Sequence, residues 1–261
     1  MRLIDGLLIV ALAATPVCEG HAQDVMRGLD MSSPDMTTAE MTRAQVEAAL
    51  AAAPKGRGAD LSGKRLSGLD LSGLDLSGAN LRAARLNHAN LSRARLDGAT
   101  LDQAWALDVD LTRASLVKAS LFATQMVGAR LDGANLTDAR ITADLTGARL
   151  VGARLENADC GADEKNQSMG LMRAIFKSAD LSRADLSGAN LARADLSFAK
   201  LSGANLAGAS LREADASGVD LRGALLKGAD TSGLDVDSAT IDNADVPYLA
   251  EAVNLARAHR E

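Results

Sequence analysis

The sequence predicts an all-β solenoid, a chain wound into short four-sided coils. Three observations predict it. A leucine recurs at every fifth position from Leu61 onward. It is usually preceded by Ala-Asp or Ala-Asn and followed by Ser-Gly or a similar pair, as in Ala79-Asn80-Leu81, Ala89-Asn90-Leu91 and Ala189-Asn190-Leu191. Aromatic residues are only 2% of the chain, far below what an ordinary globular core uses.

A period of five fits neither straight element. In an α-helix, residues five apart are rotated by about 140°, so the leucines spiral around the axis and form no stripe. In a continuous strand an odd spacing sends each leucine to the opposite face. The recurrent Gly, Ser and Asp also weaken helix interiors, which argues against an alanine-rich helical repeat. A chain that turns a corner after every unit can bury the pattern. In Ala-Asp-Leu, the alanine and leucine point inward and the acid between them points out. The two residues that follow are good turn formers. Four such walls close a coil of about twenty residues, and coils stack at about 4.8 Å. One leucine contributes roughly 2–3 kcal/mol, and ordering five residues costs about 5–10 kcal/mol, so a lone unit is unstable and stability grows with coil number.

The unit Ala-(Asp/Asn)-Leu-X-X resembles that of the pentapeptide repeat family. The resemblance covers about three quarters of the chain, and implies a right-handed quadrilateral β-helix, here of about nine coils over residues 58–246. It fixes no function, because such scaffolds serve many roles.

The central positions run in frame from Leu61 to Ile141, with Ala106 beside Trp105 as a thin spot and Met126 as a mild substitution. Ala143-Asp144-Leu145 then arrives one residue early, and Leu150, Leu155 and Cys160 continue that frame. The original register returns by Phe176 and Leu181. Ile141 to Leu181 therefore reads as two ordinary coils, with one deleted residue repaid downstream. The repayment falls in 161–170, which holds Glu164, Lys165, Asn166 and Gln167 and has no recognisable unit. It reads as a bulged wall or short loop, and loops carry function more often than the elements they interrupt.

Both ends are distinct. Residues 1–22 read as a secretory signal: Arg2, an apolar run Leu7–Ala14, and small residues up to a cleavage point after Ala22. The run is too short to span a membrane. Periplasmic or secreted localisation follows. Cys160 is then the one cysteine left, without an internal partner, at a central position where it acts as a small apolar residue. Residues 23–57 read as a flexible segment followed by a capping helix. Thr37-Thr38-Ala39-Glu40 suggests its capping box, Val46, Ala49, Leu50 and Ala53 its apolar stripe, and Pro54 and Gly56 its stop. Leu69 and Leu74 replace the usual alanine in the first coil and widen the apolar surface for that cap. Residues 247–261 suggest a second short α-helix, with Pro247 in its first turn and Leu249, Ala252, Val253 and Ala256 on one face. The family resemblance makes a homodimer through this end an expectation.

No catalytic set emerges. His21, His88 and His259 have no metal-ligand spacing, and the glycines fall at corners with period five and need no phosphate to explain them. The chain reads as no enzyme, with no cofactor, no metal and no evident small-molecule substrate. Charge is more informative. The net charge is −6. The repeats before Cys160 are rich in arginine, among them Arg82, Arg85, Arg93, Arg95, Arg113, Arg130, Arg140, Arg149 and Arg154. After Cys160 acids outnumber bases. On twenty-residue coils Asp195, Asp215 and Asp235 stack on one wall, with Glu213 and Asp237 beside them, a stripe that repels itself unless a cation or basic partner compensates it. The expectation is a non-catalytic secreted or periplasmic scaffold that binds a protein or envelope component. The alternative is a DNA-mimicking binder of a topoisomerase such as DNA gyrase, a mode that the resemblance implies for some members. The arginine-rich first half and the export signal depart from it, and nucleic acid itself is an unexpected partner.

Overall fold

The computed structural model describes residues 30–54, 57–162 and 172–261. Each repeat contributes one rung to a parallel ladder, and the ladder partners are twenty residues apart: Asp60 with Asn80, Arg65 with Arg85, Asp70 with Asn90, Asp75 with Arg95. Four ladders therefore run the length of the stack, one per wall. The central leucines and the alanines two before them are buried and form one continuous core from Ala59 to Ile241.

The bookkeeping of one unit explains its sequence. In Ala79–Ala83 every backbone N–H has a partner. Ala79 donates to the Leu76 carbonyl and closes the corner (3.0 Å), Asn80 donates down to Ala59 (2.9 Å), and Leu81 and Ala83 donate up to Thr100 (2.7 Å) and Asp102 (2.9 Å). That leaves Arg82, and its N–H donates to Oδ1 of Asn80 at 3.2 Å. The outward Asp or Asn is thus the acceptor for the one amide the ladders cannot reach. The same bond joins Ser72 to Asp70, Thr112 to Asp110, Ser187 to Asp185 and Ser232 to Asp230. The residue after it takes a left-handed φ, as the third residue of a type II turn requires. Glycine supplies this at many corners, but Arg113 (φ 58°) and Phe198 (φ 59°) adopt it too. At Gly58 the constraint is contact: a Cβ there would lie 2.0 Å from the Gly78 carbonyl oxygen.

The register break differs from the expected repayment. Ladder partners are nineteen apart across the deletion, as in Gln125 with Asp144 and Arg140 with Asp159, which agrees with the early Leu145. In the next coil they are thirty-one apart: Asp144 with Ile175, Arg149 with Asp180, Asp159 with Asn190. The excess is eleven residues, not one. Leu181 consequently stands on the wall of Leu150, and Ile141 is followed by Cys160 and Leu191. Eleven gained and one lost make ten, two whole units, so the frame of five is restored whichever reading is true. Ala174 donates to the Cys160 carbonyl (3.3 Å), the bond that closes an ordinary corner, so the extra residues sit between Ala162 and Ala174.

The N-terminal helix is present with a different start. Helix α1 (Pro34–Thr37) is a single turn that buries Met36, so Pro34–Met36 is helical where a flexible segment was expected. Helix α2 (Arg43–Ala52) is capped by Thr42 and Gln45 in a reciprocal box, not by Thr37 and Glu40. Glu40 is used elsewhere: its N–H donates to the Arg65 carbonyl at 2.9 Å, a ladder group that the first coil would otherwise leave open. Arg43 covers two more, the carbonyls of Asp70 and Ser72. Val46 is buried, and Ala49, Leu50, Ala53, Leu69 and Leu74 pack on the core.

The C-terminus is not the expected α-helix. Asn243–Leu249 is a 3-10 helix with Pro247 inside it, and Leu255–Arg257 is a second short 3-10 piece. Strand β2 (His259–Arg260) pairs in parallel with strand β1 (Thr240–Ile241), and Val253 pairs with Asp235. An α-helix would forfeit the bonds from Val253 to Leu234, His259 to Ala239 and Glu261 to Ile241, all between 2.7 and 3.0 Å. The open ladder edge outcompetes the helical stripe.

Candidate functional site

The second wall carries the candidate surface. Its ladder runs Arg65, Arg85, Trp105, Gln125, Asp144, Ile175, Asp195, Asp215, Asp235. These positions face outward, so the wall passes from basic through a mixed stretch (Trp105, Gln125, Asp144 and Ile175) to acidic along one line. Leu107 and Val127 add to the half-buried middle.

The acidic end is assembled in the ladder as a column: Asp195 pairs with Asp215, and Asp215 with Asp235. Each carboxylate has a structural task. Oδ1 of Asp195 accepts from the Ser197 N–H (3.0 Å) and hydroxyl (2.6 Å). Asp215 does the same with Ser217, and Asp235 accepts from the Asp237 N–H and from Asn254. Partial compensation comes from arginines: Arg173 lies 3.7 Å from Asp195, Arg193 is 2.7 Å from Glu213, and Arg257 is 2.9 Å from Asp237. The Arg193 contact holds the Glu213 carboxyl below its ordinary value. Glu164, Lys165, Asn166 and Gln167 lie outside the described residues.

The basic end is covered by the chain's own N-terminal segment. Asp35 meets the Arg65 guanidinium at 2.7 Å, and Glu40 lies 3.5 Å from Lys64. The Asn87 amide donates to the Met36 carbonyl at 3.1 Å, while its Oδ1 accepts from the Leu107 N–H at 3.0 Å.

That last bond belongs to a second set of acceptors. At four corners where the outward residue does not serve its own amide, the coil before it does. Asn87 serves Leu107 past Trp105, Asp97 serves Val117 past Ser115, Asp102 serves Phe122 past Ser120, and Asp132 serves Val151 past Arg149. The signal for these residues was an Asp or Asn one position after a leucine, one coil upstream of a unit that lacks its own.

Cys160 is buried, and burial, with the Asp159 charge second, pushes its thiol well above the usual range. A thiolate nucleophile is disfavoured there. Among the described residues no three His, Cys, Asp or Glu side chains converge as metal ligands.

A stack of four-walled coils turning at every fifth residue defines a class, the quadrilateral β-helix repeat proteins. Models of pentapeptide repeats match eight copies, over residues 57–87, 75–113, 108–138, 171–191 and 189–228. The chain belongs to the pentapeptide repeat family, whose fold is the right-handed quadrilateral β-helix. It is similar to HetL, a pentapeptide repeat protein involved in heterocyst differentiation regulation from the cyanobacterium Nostoc sp. strain PCC 7120, with 32% identity over 74% of this chain and 96% of that one and a TM-score of 0.41. It is also similar in fold to trypsin-treated QnrB1, a plasmid-mediated fluoroquinolone resistance protein, with 17% identity over 68% of this chain and 95% of that one and a TM-score of 0.54. No curated protein matches it significantly.

Proposed function

We propose that this protein is a non-catalytic, exported interaction scaffold of about nine coils, with its two ends closed by α2 and by the 3-10 segment, and that the second wall docks a protein or envelope component. The observation that carries the reading is the acidic column Asp195, Asp215 and Asp235 on a flat wall. One oxygen of each carboxylate is fixed by its own corner, so the column is held in a preset geometry rather than on free side chains. A basic partner meets it without the entropic cost of ordering those acids. Export rests on residues 1–22 alone, and fractionation that finds the intact chain only in the cytoplasm rejects that part.

The test is crosslinking and capture from the native envelope with the wild type and Asp215→Asn. The amide keeps the acceptor for Ser217 and removes the charge. Selective loss of a partner supports the acidic column as its dock, and retention of every partner by the variant rejects it. A DNA-mimicking binder of a topoisomerase is the second reading, favoured by the same regularly spaced column. Inhibition of DNA gyrase supercoiling by the purified mature chain supports it. A homodimer through the last coil is open to sedimentation analysis of the same material.

A further inference from the structure

The segment that packs on the basic end of the second wall leaves donors of that wall unused. Ser67 is only 4% exposed, and its hydroxyl has no hydrogen-bond partner. The buried Nε atoms of Arg65 and Arg85 also have none. The Arg65 Nε lies 3.7 Å from a Glu40 oxygen, too far for a hydrogen bond. Arg85 makes no ion pair among the described residues. Three unpartnered donors thus stand on two adjacent rungs, about 5 Å apart. Buried donors without acceptors are costly, and two belong to cations.

The covering segment shows what this face accepts. It lays Asp35 on Arg65, sets the Met36 carbonyl on Asn87 and buries the Met36 side chain. The acid satisfies one guanidinium and leaves the next unmet. We propose that Arg65, Ser67 and Arg85 form a dock for an acidic protein segment with carboxylates beside an apolar residue, and that residues 30–41 of this chain occupy it as an internal surrogate. An incoming segment that reaches Arg85 as well as Arg65 satisfies donors the surrogate does not, and displaces it. The half-buried Trp105 and Leu107 on the next rung receive its apolar residue. This dock lies at the opposite end of the wall from the acidic column, so it takes a partner of opposite charge. It rests on the scaffold reading only in treating the wall as a docking face.

The probe is a fluorescent synthetic peptide of residues 30–41 carrying Thr37→Asp and Thr38→Asp, so that Met36 has carboxylates on both sides and one is left for Arg85, titrated by anisotropy at low salt into the full mature chain. The wild type binds it weakly, because the tethered copy competes. Loosening that copy with Asp35→Asn and Glu40→Gln together strengthens binding about five- to tenfold, the effect of removing exposed ion pairs. Arg85→Gln weakens binding of the probe to that of the unsubstituted 30–41 peptide yet leaves the tethered segment protected from an aspartate-directed protease at Asp35, since Arg85 makes no bond to it. A matched thermal midpoint shows that each variant is folded. No gain in the double variant, unchanged binding in Arg85→Gln, or displacement of the probe by duplex DNA at equal charge concentration overturns the proposal. Purified components decide it, so failure of the envelope capture leaves the result standing, and the reverse holds too.

Discussion

The coils after Phe176 and those between Trp105 and Val151 solve the same problem in different ways. Both must find an acceptor for the corner amide that the ladders miss. In the later coils most units supply their own: Asp180, Asp185, Asn190, Asp195, Asn205, Asp215, Asp220, Asp230 and Asp235 all accept from the amide two residues on. In the earlier coils several units borrow the acceptor from the coil before, through Asn87, Asp97, Asp102 and Asp132. Borrowing frees the outward position for Trp105, Ser115, Ser120 and Arg149. The acidity of the second half is therefore in large part a structural requirement, and the looser composition of the first half reflects acceptors placed elsewhere.

The difference lies in the outer shell and leaves the core alone. Leu116→Ala and Leu206→Ala, one from each region, are both fully buried deletions and each should cost about 2–5 kcal/mol by denaturant unfolding. A large disparity between them would mean that the two regions differ in packing as well. Smaller effects belong to the acceptors. Asp102→Ala and Asp185→Ala should each cost about 1–3 kcal/mol, because each strands a partly buried amide, and Asp102→Asn should recover most of that loss.

Acid should weaken the self-supplied units. The Ser62, Ser72 and Ser77 side chains, then their backbone N–H groups, hold Asp60, Asp70 and Asp75 below the usual carboxylate range. Ser232 does this for Asp230, and Arg222 for Asp220. A depressed folded value means stability that is present above about pH 4 and lost as pH falls through the folded values. A thermal midpoint that declines from pH 5 to pH 3 is expected, and a flat profile would assign these bonds no weight. The smallest effect is at Cys160, which should react with a thiol reagent no faster than the chain unfolds.

The period of five was legible because the units on either side of the register break obey it, and with it the walls, the buried leucines and the acidic column. The length of the irregular coil was not. A frame that repeats every five residues cannot distinguish one extra residue from eleven, and only the pairing of Asp159 with Asn190 does so. The role of Asp and Asn was hidden for a related reason: outward direction follows from periodicity, but the bond back to the corner follows from accounting for every amide. Two capping boxes competed at the N-terminus. Thr42 and Gln45 won, since Glu40 is committed to the Arg65 strand edge. At the C-terminus Leu249 and Ala252 do pack inward, but ladder bonds take Val253 and His259 and no α-helix forms.

Native-state hydrogen exchange on Asp102→Ala tests borrowing most directly. The account predicts faster exchange at the Phe122 amide, twenty residues away and one coil on, with the Gln103 amide next to the substitution still protected by its bond to the Phe122 carbonyl. Protection at Phe122 unchanged from the wild type, with loss confined to the residues flanking position 102, would contradict it.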